Sequence, residues 1–129
     1  MTALYNACDL FVLPSVTKAE AFGMVQLEAM SCSKPVISTD LPSGVPWVNQ
    51  HGVTGLVVRP GDASALAAAM QMLLNDKDLR ARMGARGPKR VESEFSIRRM
   101  VAQTTAIYRS VVADPISREE SLPLSEAGV

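Results

Sequence analysis

The stretch "DLFVLPSVTKAEAFGMVQLEAMS", Asp9 to Ser31, decides how this chain is read. It opens with a short apolar run, Leu10 to Leu13, stopped by Pro14. Continuous rather than alternating apolarity predicts a strand buried on both faces, as in a parallel sheet. The loop "SVTKAEAFG" follows, and helical patterning runs from about Phe22 to Ser31. Two carboxylates, Glu20 and Glu28, bracket an almost wholly apolar segment, with Gly23 close behind the first. Glu is rarely fully buried unless paired, so an acidic residue at each end of an apolar run needs a reason.

Outward from that stretch, "KPVIST" reads as a second strand and "GLVVRPGD", after the turn signal "HGVTG", as a third. Asp62 is placed to cap a helix that "ALAAAMQMLL" fills with strong helix formers, and Asn75 and Asp76 break it. "DKDLRARMGARGPKRV" predicts a second helix that Pro88, after Gly87, should interrupt. From Ser96, "SIRRMVAQTTAIYRSVV" predicts a third, amphipathic helix with Ile97, Val101, Thr104, Ile107 and Val111 at helical spacing. The tail "PISREESLPLSEAGV" has no period. A domain over residues 1–112 and a disordered tail over 113–129 are therefore expected. Strand, helix, strand, irregular link, strand, helices is an α/β order with a parallel sheet. Three strands make a thin sheet, so the chain is expected to be part of a larger structure.

The 129 residues allow one domain with one core. Lys plus Arg and Asp plus Glu are both 13, and with no basic stripe there is no electrostatic footprint for nucleic acid. No apolar run approaches the roughly 18 residues of a membrane span, and the N-terminus lacks a signal-peptide pattern. A cytoplasmic protein is expected. Cys8 and Cys32 lack the spacing of a metal or redox motif and read as small hydrophobes. His51, the one histidine, lies in the turn "NQHGVTG" and reads as a solvated loop residue. Trp47 reads as a packing anchor, with stacking on a nucleobase as the alternative. Lys89, Arg90, Arg98 and Arg99 read as wet helix faces, and Asp40 and Ser43 have no histidine in a motif to complete a nucleophilic triad.

Ligands of parallel sheets bind beyond the carboxyl ends of the strands, where loops lead into helix N-termini. Glu20 to Glu28 lies at such a place. Unpaired N–H groups and partial positive charge suit a phosphate there, and Gly23 would let the backbone approach it. Eight residues of helix rise about 12 Å. A glycosidase pair needs about 5–5.5 Å to retain configuration or about 6.5–9.5 Å to invert it. The two carboxylates are therefore poorly spaced as a hydrolytic pair, unless the loop folds Glu20 back. The spacing fits a clamp on two ends of an elongated ligand with a diphosphate between them. It equally fits a first-turn charge and a solvated face residue, and on spacing alone both readings stay open.

"EAFGMVQLEAM" has the E-x7-E form of the retaining glycosyltransferases of family 4, which have two Rossmann-like domains in the GT-B arrangement. "ACDLFVLPS" before it resembles that family, as do "KPVISTDLPSGVPWVNQHGVTGLVVRPGD", "LLNDKDLRARMG" and "EFS" after it. The resemblance runs from about Tyr5 to Val112. It looks nearest to bacterial enzymes that build O-antigen or exopolysaccharide.

The resemblance implies the C-terminal half of a GT-B donor-binding domain: a partial Rossmann-like parallel sheet flanked by helices. It implies that Glu20 accepts hydrogen bonds from donor-sugar hydroxyls, and that Phe22, Gly23 and Met24 hold the sugar through their backbone. Val25 would face the diphosphate and Glu28 would grip the ribose hydroxyls of a UDP- or GDP-sugar. An acceptor-only carboxylate suits two vicinal hydroxyls. The family implies no metal and no other cofactor. It also implies partners: an acceptor-binding N-terminal domain that this sequence lacks, and a glycan or lipid-linked acceptor, with the whole enzyme at the inner face of a membrane. No complete catalytic centre can be placed in the chain. Where the family commonly has glycine after the helix this chain has Ser33; a left-handed cap there would cost somewhat more with serine. The alternatives are a non-catalytic remnant or truncated piece of such a domain, and a sugar-nucleotide epimerase of related architecture. The thin sheet and apolar helix stripe predict self-association of the isolated chain.

Overall fold

The computed structural model describes residues 2–113 and divides into two compact units, one ending at Glu94 and one beginning at Phe95. The first unit contains α1 (Thr2–Ala7), β1 (Phe11–Leu13), α2 (Met24–Ser31), β2 (Val36–Thr39), α3 (Val45–Val48), β3 (Gly55–Val58), α4 (Ala63–Asn75) and α5 (Lys77–Glu94). The second contains α6 (Ile97–Ala113), which carries the expected apolar spacing; the expected tail beyond it lies outside the described residues. No helix among the described residues is long and apolar enough to cross a membrane.

The three strands form one parallel sheet in the order β1-β2-β3, with Val12 opposite Ile37 and Ile37 opposite Leu56. Only β2, in the centre, is buried along its whole length. β1, expected to be covered on both faces, is half-buried, because among the described strands it has a neighbour on one side only. The outer side of β3 is closed by the chain's own turn. His51 Nδ1 accepts from the Val57 N–H at 3.0 Å, and the Gly52 N–H donates to the Gly55 carbonyl at 2.8 Å. His51 is exposed as expected, but its ring also blocks a strand edge.

Ile37 and Leu56 pack with Ala69, Leu73 and Met83 of α4 and α5, and Leu10, Val12 and Leu66 fill in around them. Side chains alternate along a strand, so Ser38 points the other way, toward Asn49 at the end of α3. Asn49 is fully buried and ties strands to loop. Its Nδ2 lies 3.1 Å from the Val36 carbonyl, 3.0 Å from Ser38 Oγ and 3.0 Å from the Leu56 carbonyl, and its Oδ1 accepts from Thr54 Oγ1. A buried amide so fully used costs little to bury.

Helix ends follow the sequence. Asp62 Oδ1 accepts from the Ala65 N–H at 2.8 Å and caps α4 as expected. Asp76 caps α5 in the same way through the Leu79 N–H, and Arg80 Nη1 donates to the Leu73 and Leu74 carbonyls that end α4. After α2, Ser33 takes the left-handed conformation, φ 57°. Arg90, read from sequence as a wet-face residue, is instead half-buried. It donates from Nε to Val48 O (3.0 Å) and from Nη2 to Trp47 O (2.5 Å), at the end of α3. Burial lowers its pKa, and nearby Glu94 opposes that shift.

Pro88 does not interrupt α5, contrary to the sequence reading. Proline removes one helical hydrogen bond and crowds the carbonyl of Gly84, four residues earlier. That loss is offset because α5 is pinned against α2 on this stretch. A Cβ on Gly84 would run into the Ser33 carbonyl oxygen, and one on Gly87 would lie 2.6 Å from the Met30 carbonyl oxygen. Two glycines let the helices approach backbone to backbone.

That contact reverses an ordinary expectation. Alanine is favoured over glycine in a helix by about 0.8–1.0 kcal/mol, whereas overpacking costs about 1–3 kcal/mol. Gly84→Ala should therefore destabilise the protein by up to about 2 kcal/mol net, read as a lower urea midpoint; a raised midpoint would show that α2 and α5 can separate freely. Arg90→Lys keeps the charge but loses the planar fork, so one α3 carbonyl loses its donor. A loss of about 1–3 kcal/mol in the same unfolding measurement is expected.

Candidate functional site

The six candidate residues sit at one corner, where β1 ends and α2 begins. Leu13 leads through Pro14 and the loop to Gly23, which is the N-cap of α2 and adopts a left-handed conformation, φ 73° and ψ 59°. The helix therefore starts at Met24, two residues later than its apolar pattern suggests. Glu20 is not helical. It folds back on the corner, and its Oε1 accepts from the Gly23 N–H at 3.0 Å. The helical rise of about 12 Å between the carboxylates does not apply, because only Met24 to Glu28 is helix, about 6 Å.

Gly23 is required for a reason that sequence alone does not give. A Cβ there would lie 2.6 Å from Leu13 Cδ2 and 2.7 Å from Gln26 Nε2. The missing side chain would point into packed protein, not toward a ligand, and the positive φ adds strain for any other residue. Gln26 is fully buried and holds the corner from within. Its Nε2 donates to Phe22 O at 3.1 Å and to Val45 O at 3.4 Å, tying the loop to α3, while its Oε1 has no hydrogen-bond partner. The Gly44 N–H donates to Ala21 O at 2.7 Å, and the Phe22 and Trp47 rings meet at 6.0 Å between centroids. Trp47 is a packing partner of the site loop, as its sequence context suggests.

This scaffold leaves the first turn of α2 presented at the surface. Helix geometry gives the Met24 and Val25 N–H groups no intrahelical acceptor, and the helix dipole places partial positive charge there. The Gln26 N–H is already taken by Gly23 O at 2.9 Å. Met24 is exposed and Val25 half-buried. One turn further on, Glu28 is exposed, and its Oε2 accepts from the hydroxyl of Tyr5 at 2.9 Å. Burial, and then the bond to Glu28, push the Tyr5 pKa upward, so the phenol stays a donor at neutral pH.

The corner thus brings together a half-buried carboxylate, a dipole end with two available N–H groups, and an exposed carboxylate. That set can accept hydroxyl protons at both ends and hold an anion between them. Among the described residues no three His, Cys, Asp or Glu side chains converge as a metal site. A hollow of about 670 Å³ at the C-terminal part of β3, lined by Asp40, Pro46, His51, Val57, Val58, Arg59 and Pro60, contains none of the six. Sequence reading missed Tyr5 and Gln26. Gln26 could have been flagged as a polar residue on the inward helix face, three and four residues before the apolar Ala29 and Met30, whereas nothing local marks Tyr5.

Residues 1–90 match the family model described as "Glycosyl transferases group 1". The capsular polysaccharide biosynthesis glycosyltransferase CapM of Staphylococcus aureus is 35% identical over 112 residues, 87% of this chain and 29% of that protein. The O-antigen chain mannosyltransferase C of Escherichia coli is 32% identical over 84% of this chain and 29% of its own length. Among solved structures, the sucrose-phosphate synthase of Thermosynechococcus elongatus superposes with a TM-score of 0.75 at 35% identity, covering 85% of this chain and 27% of that one. Anabaena HepE in complex with UDP superposes with a TM-score of 0.76 at 29% identity, covering 83% and 29%. The chain thus spans under a third of the length of these relatives. The parallel sheet and the match over residues 1–90 agree, and the chain belongs to the glycosyl transferases group 1 family.

Proposed function

We propose that this chain is the nucleotide-sugar-binding part of a retaining glycosyltransferase that moves a hexose to a glycan or lipid-linked acceptor in bacterial polysaccharide biosynthesis. The observation that carries the reading is the fold-back of Glu20 onto the N-cap of α2, which puts one carboxylate beside the helix N-terminus and leaves Glu28 a turn along it. In this reading Glu20 accepts from hydroxyls of the donor sugar through the oxygen not engaged with Gly23. The backbone of Phe22, Gly23 and Met24 lies along the sugar, the Val25 N–H and the dipole end face the diphosphate, and Glu28 accepts from the ribose hydroxyls. A carboxylate has about four lone-pair sites, so the bonds from Gly23 and Tyr5 leave room for these. HepE was solved with UDP, and CapM and the O-antigen mannosyltransferase are named for polysaccharide assembly, which supports both the donor class and the pathway type.

The chain's own residues bind and orient the donor. The helix end and its amides favour the negative charge that grows on the diphosphate as the sugar–phosphate bond lengthens, so no metal enters the proposal. Transfer also needs an acceptor held against the anomeric carbon and a site closed to water, which we assign to an acceptor-binding domain of the full-length protein. We place the enzyme in the cytoplasm, at the membrane face when its acceptor is lipid-linked.

Glu28→Gln in the full-length protein replaces a charged acceptor by a neutral amide. Hydrogen bonds to charged groups contribute about 1.5–3 kcal/mol, so affinity for the nucleoside diphosphate should fall roughly tenfold or more by titration calorimetry. Unchanged affinity for both UDP and GDP would remove Glu28 from the ribose site.

A further inference from the structure

We infer that Tyr5 is a positioning residue for the nucleotide site: its hydroxyl fixes the carboxylate of Glu28 in the orientation that takes the ribose hydroxyls. This rests on the donor-site reading above and adds to it a residue from a different element, 23 positions earlier in the chain.

An exposed glutamate on a helix surface samples several rotamers, and holding it in one costs side-chain entropy each time a ligand binds. Glu28 is exposed, yet it is held at one oxygen, Oε2, by a donor that cannot itself move far. The Tyr5 side chain is 8% exposed. Its ring meets Phe11 of β1 edge-on, with centroids 5.7 Å apart. The backbone around it is tied as well: Cys8 Sγ donates to Tyr5 O at 3.1 Å, and Lys34 Nζ donates to Asn6 O at 3.2 Å. The phenol is therefore a rigid post, and the flexible member of the pair is the glutamate.

The direction of the bond is set by chemistry. A carboxylate accepts only, so the tyrosine must donate its single proton to Oε2. That fixes the carboxylate plane and leaves Oε1, with the remaining lone pair of Oε2, for two vicinal hydroxyls of a ribose. Pre-organisation of this kind appears as affinity, because the ordering is done before the ligand arrives. A purely structural bond would join α1 to α2 and have no bearing on which part of a nucleotide is felt.

Binding of UDP, with GDP and inorganic pyrophosphate in parallel, tests this on the full-length protein and its Tyr5→Phe, Glu28→Ala and doubly substituted forms. Pyrophosphate reports the helix end without the ribose contact. Tyr5→Phe keeps the ring, and a melting curve accompanies each variant. The expected result is a loss of about three- to tenfold in nucleotide affinity for Tyr5→Phe and about tenfold or more for Glu28→Ala. The double variant should bind no more weakly than Glu28→Ala alone, and pyrophosphate affinity should be unchanged by Tyr5→Phe. An undiminished effect of Tyr5→Phe in the Glu28→Ala background, or an equal loss for pyrophosphate, would mean Tyr5 acts through packing and would overturn the inference. So would normal nucleotide affinity in Tyr5→Phe while Glu28→Ala is weakened, and the donor-site reading would then survive. Normal nucleotide binding by Glu28→Ala, or none by the unsubstituted protein, would overturn both.

Discussion

The close approach of α2 to α5 is the constraint on which the rest of the first unit depends. It is made by two residues with no side chains, Gly84 and Gly87, seated on the carbonyls of Ser33 and Met30. Because those carbonyls belong to the end of α2 and the turn after it, the contact fixes the axis of the helix that carries both the dipole end and Glu28. It also holds α5 on the turn that runs into Pro88, so a residue that ordinarily breaks a helix sits inside an unbroken one. α5 in turn reaches the far side of the corner through Arg90, whose guanidinium takes the carbonyls that end α3.

The corner itself is assembled from the inside. Gly23 turns left-handed because Leu13 and Gln26 occupy the space a side chain would need, and Gln26 then joins Phe22 to Val45. Its unpartnered Oε1 is a cost accepted within the core. The outward face of the same residues is left to backbone N–H groups and two carboxylates. Packing and recognition are thus separated by side of the loop.

Much of this was legible in the sequence, and the exceptions have physical causes. The three strands, α4, α5 and α6 announce themselves through apolar runs, an aspartate cap and helical periodicity. Glu20 and Glu28 stood out as carboxylates at the ends of an apolar stretch, but spacing alone left their role open and only the family resemblance gave them one. The short helices α1 and α3 were missed, since six residues with no capping residue and four residues around Pro46 carry no periodic signal. The continuity of α5 through Pro88 depends on a tertiary contact that a local rule cannot see. Tyr5 and Asn49 owe their roles to partners far along the chain, Glu28 for the first and Val36, Ser38 and Leu56 for the second. The burial of β1 was overread because its apolar run does not say whether it lies at the middle or the margin of a sheet.

The turn from Gln50 to Val53 gives the sheet a direction of growth. Residues 55 and 57 present their outward backbone groups to it, and both the Gly55 carbonyl and the Val57 N–H are engaged there. A further strand arriving from that side meets groups that are already occupied and an imidazole in its path. The same is not true beside β1, whose one ladder among the described strands runs to β2. Any strand that extends this sheet, whether from the same polypeptide or from another, therefore joins next to Phe11–Leu13.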